Sequence, residues 1–239
     1  MIKSFKLLYF LLLFLNYFAA NSQATFDSSF EKAASVYSKL IDINSHIYNG
    51  SEYIDYDHRI TGNPFFESSY FTDGSIVFDG ILYPHVNMFY DILHDDVVIK
   101  NYNDTALILV KEKISAFNYL NHHFVQLVAD SLEKGLENNV FYDVLYNGNT
   151  KLFARRKKEI IEKISTQYSE SFFTEKTEYF LYNKSYYPVS DKKSILNALK
   201  DKKSVLIRFL HQNKIRFRKN KEAAMIKMVA YYDSLNKQK

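Results

Sequence analysis

Short apolar segments separated by turn residues fill residues 52–128, and this pattern constrains the fold more than any other. The segments are rich in β-branched and aromatic residues, and the clearest turn, Asp79-Gly80, joins Ser75–Phe78 to Ile81–Tyr83. A two-residue Asp-Gly loop favours the positive φ angles that match the twist of a β-hairpin. The pattern predicts an antiparallel meander, with further strands at 86–91, 96–100, 105–111, 114–119 and 123–128.

Two more hairpins are predicted after the meander. Asn147-Gly148 separates Phe141–Tyr146 from Thr150–Ala154, and Asn183-Lys184 forms a weaker turn. Residues 129–139 are polar and predict a loop. The body of the protein is therefore expected to be rich in antiparallel strands.

Helical spacing of apolar residues appears at both ends of the body. One helix is predicted over 27–48. Two short helices follow the tetrapeptide Asp-Lys-Lys-Ser, in which Asp191 and Asp201 would be the N-caps, and a last helix is predicted at 220–235. The predicted class is α+β: an N-terminal helix, an antiparallel meander forming a roll or half-open barrel, and a helical C-terminal subdomain. The predicted divisions are a signal peptide at 1–22, the body at 23–189 and a basic helical subdomain at 190–239.

The N-terminus predicts export. Lys3 and Lys6 precede the apolar run 7–15, and small residues follow from Ala19 onward. The run is shorter than the roughly 20 residues that span a bilayer, so it is typical of a cleaved signal peptide. We therefore expect a periplasmic or secreted bacterial protein with no transmembrane segment after signal removal. The chain has no cysteine, which excludes disulfides and the lipid-modified cysteine of a lipoprotein.

Charge is divided unevenly along the chain. Residues 23–150 carry 7 Lys or Arg against 18 Asp or Glu, and residues 151–239 carry 22 against 9. One interpretation is that the two parts pack together and screen each other. The other is that a basic face contacts an envelope protein, an anionic lipid or an acidic glycan. Export argues against nucleic acid as a partner.

Two basic clusters are the candidates for contact with an anionic surface. In the second, charged residues alternate with Ile215 and Phe217, so these two side chains can face a core while the cations face outward. The alternative is that both clusters are ordinary solvated faces. The candidate residues are Arg155, Arg156, Lys157, Lys158, Lys214, Arg216, Arg218 and Lys219.

Catalytic and metal motifs are sparse. The candidate is the predicted turn His94-Asp95-Asp96 beside Asp91, where carboxylates and an imidazole could hold a hard cation or transfer a proton. A solvated acidic turn is the alternative. The adjacent pair His122-His123 would point to opposite faces of a strand and so could not bind one ion. No Gly-x-Ser-x-Gly elbow or Gly-rich phosphate loop is present, and no cofactor is predicted.

The order of local motifs resembles a family of exported proteins of Bacteroidota-type bacteria whose function is not known. The resemblance covers nearly the whole mature chain and implies an extracytoplasmic protein with a β-rich body and a basic helical tail. It implies no catalytic residues. The motifs that carry it are Tyr48–Tyr53, Thr61–Phe66, Gly74–Gly80, Tyr90–Ile92, Phe141–Gly148, Lys214–Arg218 and Tyr231–Asp233.

Three functional hypotheses follow from these patterns. The first is a non-catalytic envelope protein that binds or assembles with a partner. The second is a carrier in which a curled sheet encloses an apolar cavity for a lipid or another small ligand. The third is a hydrolase of envelope glycan or peptide, with paired carboxylates among the acidic residues. In a carrier, an empty cavity would be lined by Ile76, Phe78, Leu107, Leu109 and Phe117; in the first hypothesis these residues would fill a core.

Overall fold

A computed structural model describes residues 46–101, 103–127, 135–164 and 168–237. The chain divides into two units, Met1–Asn49 and Gly50–Lys239. The predicted signal peptide and nearly all of the helix predicted at 27–48 lie outside the described residues. The strands and helices given below all belong to the second unit.

The strands of the described residues form one 11-stranded antiparallel sheet, ordered β1-β5-β4-β3-β2-β6-β7-β8-β9-β10-β11. Its two outer strands, β1 and β11, do not pair with each other, so the sheet is open. This confirms the predicted antiparallel sheet. The strands are β1 Gly50–Glu52, β2 Thr72–Phe78, β3 Ile81–Asp91, β4 Asp96–Lys100, β5 Ala106–Leu109, β6 Ile114–Tyr119, β7 His122–Gln126, β8 Phe141–Asn147, β9 Lys151–Ile164, β10 Ser169–Asn183 and β11 Ser185–Val189.

The sheet extends on both sides of β2, toward β1 on one side and toward β11 on the other. Strands β2 to β5 follow one another toward one edge, and β6 then returns to pair with the free side of β2, placing Ile76 opposite Phe117. Asp79 and Gly80 have φ angles of 50° and 76°, as expected for the Asp-Gly hairpin turn. The later strands then extend the sheet toward the other edge.

Strands β9 and β10 are much longer than the sequence predicts. They form a hairpin of 14- and 15-residue strands, whereas apolar patterning predicts strands only up to 154 and from 179. The intervening residues mix lysine, glutamate and isoleucine, so they lack the alternation that marks a half-buried strand. Contacts distant in sequence support them: the Lys158 N–H donates to the Ile92 carbonyl at 2.9 Å, and Thr61 pairs with Phe172.

Aromatic rings fill the core beside β2, β3, β6, β7 and β8. Phe117 stacks on Phe124 with ring centroids 4.7 Å apart, and meets Tyr90 and Phe141 edge-on at 5.1 and 5.0 Å. These rings come from four strands, so side chains of neighbouring strands pack directly against one another. Edge-to-face geometry adds about 0.5–1.5 kcal/mol per pair to the energy of burial.

The residues proposed to line a carrier cavity belong to this interior. Ile76, Phe78, Leu109 and Phe117 have no more than 2% of their surface exposed, and Leu107 is half-buried. The stacking of Phe117 against neighbouring rings supports a filled core at these positions.

Three helices, α1 Lys192–Ala198, α2 Lys203–Gln212 and α3 Lys221–Lys237, follow the sheet. Asp191 caps α1 as predicted, because its Oδ1 accepts the Ser194 N–H at 2.7 Å. Asp201 does not cap α2; it accepts the Tyr232 hydroxyl at 3.2 Å instead. The helices pack on β9–β11 through a core made by Leu152, Ala154, Tyr179, Leu181, Val189, Ile195, Leu196, Leu199, Leu206, Leu210, Met225, Met228, Val229 and Tyr232.

None of the helices in the described residues is both long and apolar enough to cross a bilayer.

Candidate functional site: a cationic pocket between α2 and α3

The end of α2 places the first cation of the pocket. The Ile215 N–H donates to the Leu210 carbonyl at 2.9 Å and the Lys214 N–H to the His211 carbonyl at 3.1 Å. This pair of bonds is the Schellman motif, whose C′ residue has a left-handed conformation and is usually glycine. Lys214 holds that position with a φ of 52°. Lys214 therefore occupies a left-handed backbone position that favours glycine.

The start of α3 places the opposite wall. The Lys219 N–H donates to the Arg216 carbonyl at 3.1 Å, which makes a turn just before the helix. Asn220 then caps α3, because its Oδ1 accepts the Ala223 N–H at 2.9 Å. Residues 217–219 thus form a turn. Ile215 packs against the helical core, which confirms that the apolar side chain faces inward.

Between these walls lies a pocket of about 450 Å³. Four of its lining residues are cations, and none of its described lining residues is acidic. Within the described part of the chain these cations make no ion pair, so no described carboxylate neutralises their positive charge at the pocket. The lining residues are Asn213, Lys214, Ile215, Arg216, Lys219, Asn220, Ala223, Ala224 and Lys227.

The pocket brings together three of the four candidate cations from 214–219. Arg218 is exposed but is not among the lining residues. Lys227 was missed by the sequence analysis, although it is the exposed lysine of an otherwise apolar stretch two turns into the last helix. A helical projection of 220–235 would have placed it on the solvent side.

The other basic cluster, Arg155–Lys158, is engaged inside the protein. Arg155 pairs with Glu137, and Lys157 Nζ lies 2.8 Å from a Glu178 oxygen. Lys158 Nζ donates to the Phe65 carbonyl at 2.7 Å, and burial lowers its pKa. The structure therefore uses these cations to hold strands and loops together.

Arg156 is the centre of a buried network that joins the sheet to α3. Its guanidinium donates to Asp143 at 2.7 and 3.0 Å and to Glu222 at 2.8 and 3.1 Å. His122 Nδ1 lies 2.8 Å from the same Asp143 carboxylate. That hydrogen bond raises the pKa of His122 above its usual value. Local sequence patterns do not predict this network, because its members lie on β7, β8, β9 and α3.

The predicted acidic turn lies between β3 and β4, but its side chains diverge. Asp95 accepts the Tyr90 hydroxyl at 2.5 Å and the Phe141 N–H at 3.2 Å. Burial raises the pKa of Asp95 to about 6, although Lys111 Nζ is only 3.3 Å away. Asp96 lies 3.6 Å from the same lysine, and desolvation raises its pKa as well.

His94 faces a different group from Asp95. The Tyr56 hydroxyl donates to buried Asp91 at 2.8 Å and lies 2.5 Å from His94 Nδ1. The Tyr56 hydroxyl therefore connects the Asp91 carboxylate to the His94 imidazole. This chain of bonds orients an exposed imidazole. Among the described residues, no group of three or more His, Cys, Asp or Glu side chains is arranged to hold a metal ion.

Comparisons with known proteins add no functional assignment. No protein-family model, no curated protein and no solved structure matches the chain.

Proposed function

We propose that this chain is a non-catalytic binding protein of the bacterial envelope that holds the anionic group of an acidic glycan in the cationic pocket. The single observation that carries the proposal is that Lys214, Arg216, Lys219 and Lys227 surround one concavity with no acidic side chain among its described lining residues. The cationic N-terminal segment supports export, which would bring the protein to such ligands.

The shape of the pocket favours a discrete anionic group. Its volume of about 450 Å³ lies within the range of roughly 300–1,000 Å³ that small-molecule sites occupy. Arg216 offers a planar fork of donors that matches a carboxylate or phosphate, and the lysines add mobile point charges. Asn220 keeps its amide nitrogen as a donor after its Oδ1 caps α3, and Asn213 keeps its amide oxygen as an acceptor after its Nδ2 donates to the Phe209 carbonyl. Such groups bind sugar hydroxyls.

A glycan fits these features better than a lipid bilayer does. Peripheral membrane binding combines cations with an apolar face that inserts below the headgroups. The apolar residues of this pocket are Ile215, Ala223 and Ala224, and each is at least half-buried. The pocket therefore presents charge and amides without a protruding apolar surface.

The test uses the full chain with two probes, polygalacturonate and vesicles of phosphatidylglycerol mixed with phosphatidylcholine. We expect polygalacturonate to bind, and exchange of Arg216 and Lys219 for Glu to weaken binding at least tenfold. The matched control exchanges Lys192 and Lys193 for Glu, since these lysines are exposed on α1 outside the pocket. That pair changes the net charge equally and should have little effect at physiological salt.

Three results would count against the proposal. Equal losses in the two variants would show that net charge alone drives binding. Binding to the vesicles without binding to polygalacturonate would favour a lipid ligand, and binding to neither would reject the anion site.

Lys214 permits a second test in which stability and binding change in opposite directions. Lys214→Gly removes a cation and also removes the left-handed strain of a residue with a Cβ, worth about 1 kcal/mol. We expect the variant to be more stable to urea yet several-fold weaker toward polygalacturonate. A variant that loses stability, or binds as well as the native chain, would contradict the site as described.

A further inference from the structure

Strand β10 has a gap along its outer edge. Its inner edge pairs with β9 in continuous register from Ser169↔Ile164 to Tyr182↔Lys151. On the outer edge, Thr61 pairs with Phe172, and β11 begins its pairing at Tyr179. Within the part of the chain that the structure describes, no strand pairs with the outer edge at residues 174–178.

The backbone groups in this gap have a defined direction. The Thr61 N–H donates to the Ser171 carbonyl at 2.9 Å, and the Phe173 N–H donates to the Thr61 carbonyl at 3.0 Å. Residues 171 and 173 therefore direct their main-chain groups outward. Because the register with β9 has no bulge and direction alternates along a strand, Glu175 and Thr177 also direct an N–H and a carbonyl into the gap.

A pocket of about 550 Å³ lies directly beside these groups. Tyr179, Phe180, Pro188 and Val189 give it an apolar wall, and Thr177 belongs to its lining. An extended peptide placed along the gap could thus bond to the backbone of β10 and bury a side chain in the same site. The remaining lining residues are Gly135, Lys176, Glu178, Ser190 and Lys221.

The charges of the pocket indicate what such a peptide would carry. Its carboxylate, Glu178, is already 2.8 Å from Lys157 Nζ and 3.5 Å from Lys176 Nζ. Lys221 Nζ lies 4.8 Å above the Tyr179 ring and has no acidic partner among the described residues. An acidic side chain beside an apolar one would complement this pocket.

We propose that the outer edge of β10 at Thr174–Glu178 binds an extended peptide strand of a partner protein, one that combines an apolar with an acidic side chain. Main-chain bonds to Glu175 and Thr177 supply the register, the wall around Tyr179 receives the apolar side chain, and Lys221 pairs with the acid. This site is separate from the cationic pocket, and either one can fail without the other.

Hydrogen exchange of the free full chain tests whether the edge is open. The Thr177 amide should exchange rapidly, whereas the amides of Lys176 and Glu178, which face β9, should be protected. Slow exchange at Thr177 would mean that another segment of the chain covers the edge, and would overturn the proposal.

Binding is tested by selecting random heptapeptides against the full chain and measuring the enriched sequences by fluorescence anisotropy. Thr177→Pro removes an outward N–H and fixes φ near −65°, a change that an edge strand tolerates, and it should weaken binding at least tenfold. Thr177→Ala keeps that N–H and is the matched control, with binding expected to stay within about twofold of native.

A chemical change in the peptide gives a readout that needs no protein variant. Methylation of alternate peptide amide nitrogens should abolish binding to the native chain in one of the two alternating patterns and spare it in the other. The proposal is rejected when no acidic–apolar sequence family is enriched, when Thr177→Pro binds like native, or when both methylation patterns bind equally.

Discussion

Replacing Arg156 with Met tests whether the buried network fastens α3 to the sheet. The side chain is 8% exposed and divides its donors between Asp143, which is 1% exposed, and Glu222, which is 28% exposed. Methionine keeps the apolar stem and removes the charge. Asp143 would then be left with His122 as its partner.

The expected cost follows from these exposures. Removing one member of a buried ion pair costs roughly 3–5 kcal/mol, because the other charge remains desolvated. Glu222 is partly hydrated and can turn toward water, so we expect a loss near the lower value, about 3 kcal/mol. Removal of Arg156 should also raise the pKa of His122 further, since the guanidinium repels its proton.

The free energy of unfolding lost in Arg156→Met should increase with pH. The pKa of His122 is raised in the folded chain, so its stabilising charge is present below the unfolded value of about 6.5 and is lost as pH rises through the folded value. A protonated His122 can partly replace Arg156 beside Asp143. The loss should therefore be smaller at pH 5.5 than at pH 9.

Urea unfolding at the two pH values measures this, with Lys157→Met as the matched control on the same strand. Lys157 pairs with Glu178 at a half-exposed site, where an ion pair contributes about 0–1 kcal/mol. An Arg156→Met cost no larger than that of the control would refute the anchoring role. Absence of pH dependence would refute the compensation by His122.

Two further predictions concern single residues. Gly148→Ala should cost about 1–3 kcal/mol, since a Cβ there would lie 2.3 Å from Asp233 Oδ2 and 2.7 Å from the Tyr146 hydroxyl oxygen. The cost should shrink in part in an Asp233→Ala background, where the Tyr146 contact remains; additive urea-unfolding costs would contradict this. Asp95 has its pKa raised to about 6, so the folded chain holds a proton that the unfolded chain releases near 4. The free energy of unfolding should then fall by about 2 kcal/mol between pH 4 and 7 relative to Asp95→Asn, and parallel pH profiles would contradict it.

Local sequence patterns correctly predicted the features that depend on interactions between residues close together in the chain. The turn at Asp79-Gly80, the cap at Asp191 and the inward direction of Ile215 each depend on residues within a few positions. Turn conformation, capping and side-chain alternation are set by neighbours along the chain, so the sequence displays them.

The sequence by itself determined an antiparallel body, a basic helical end and the cations of one candidate surface. Tertiary structure alone decided that Arg156 is a buried anchor and that Lys227 joins the pocket. Tertiary contacts also explain why β9 and β10 continue beyond their apolar segments. They likewise explain why Asp201 accepts the Tyr232 hydroxyl and does not cap a helix. Each of these depends on which strands and helices meet in space, and residues far apart in sequence carry no local sign of that meeting.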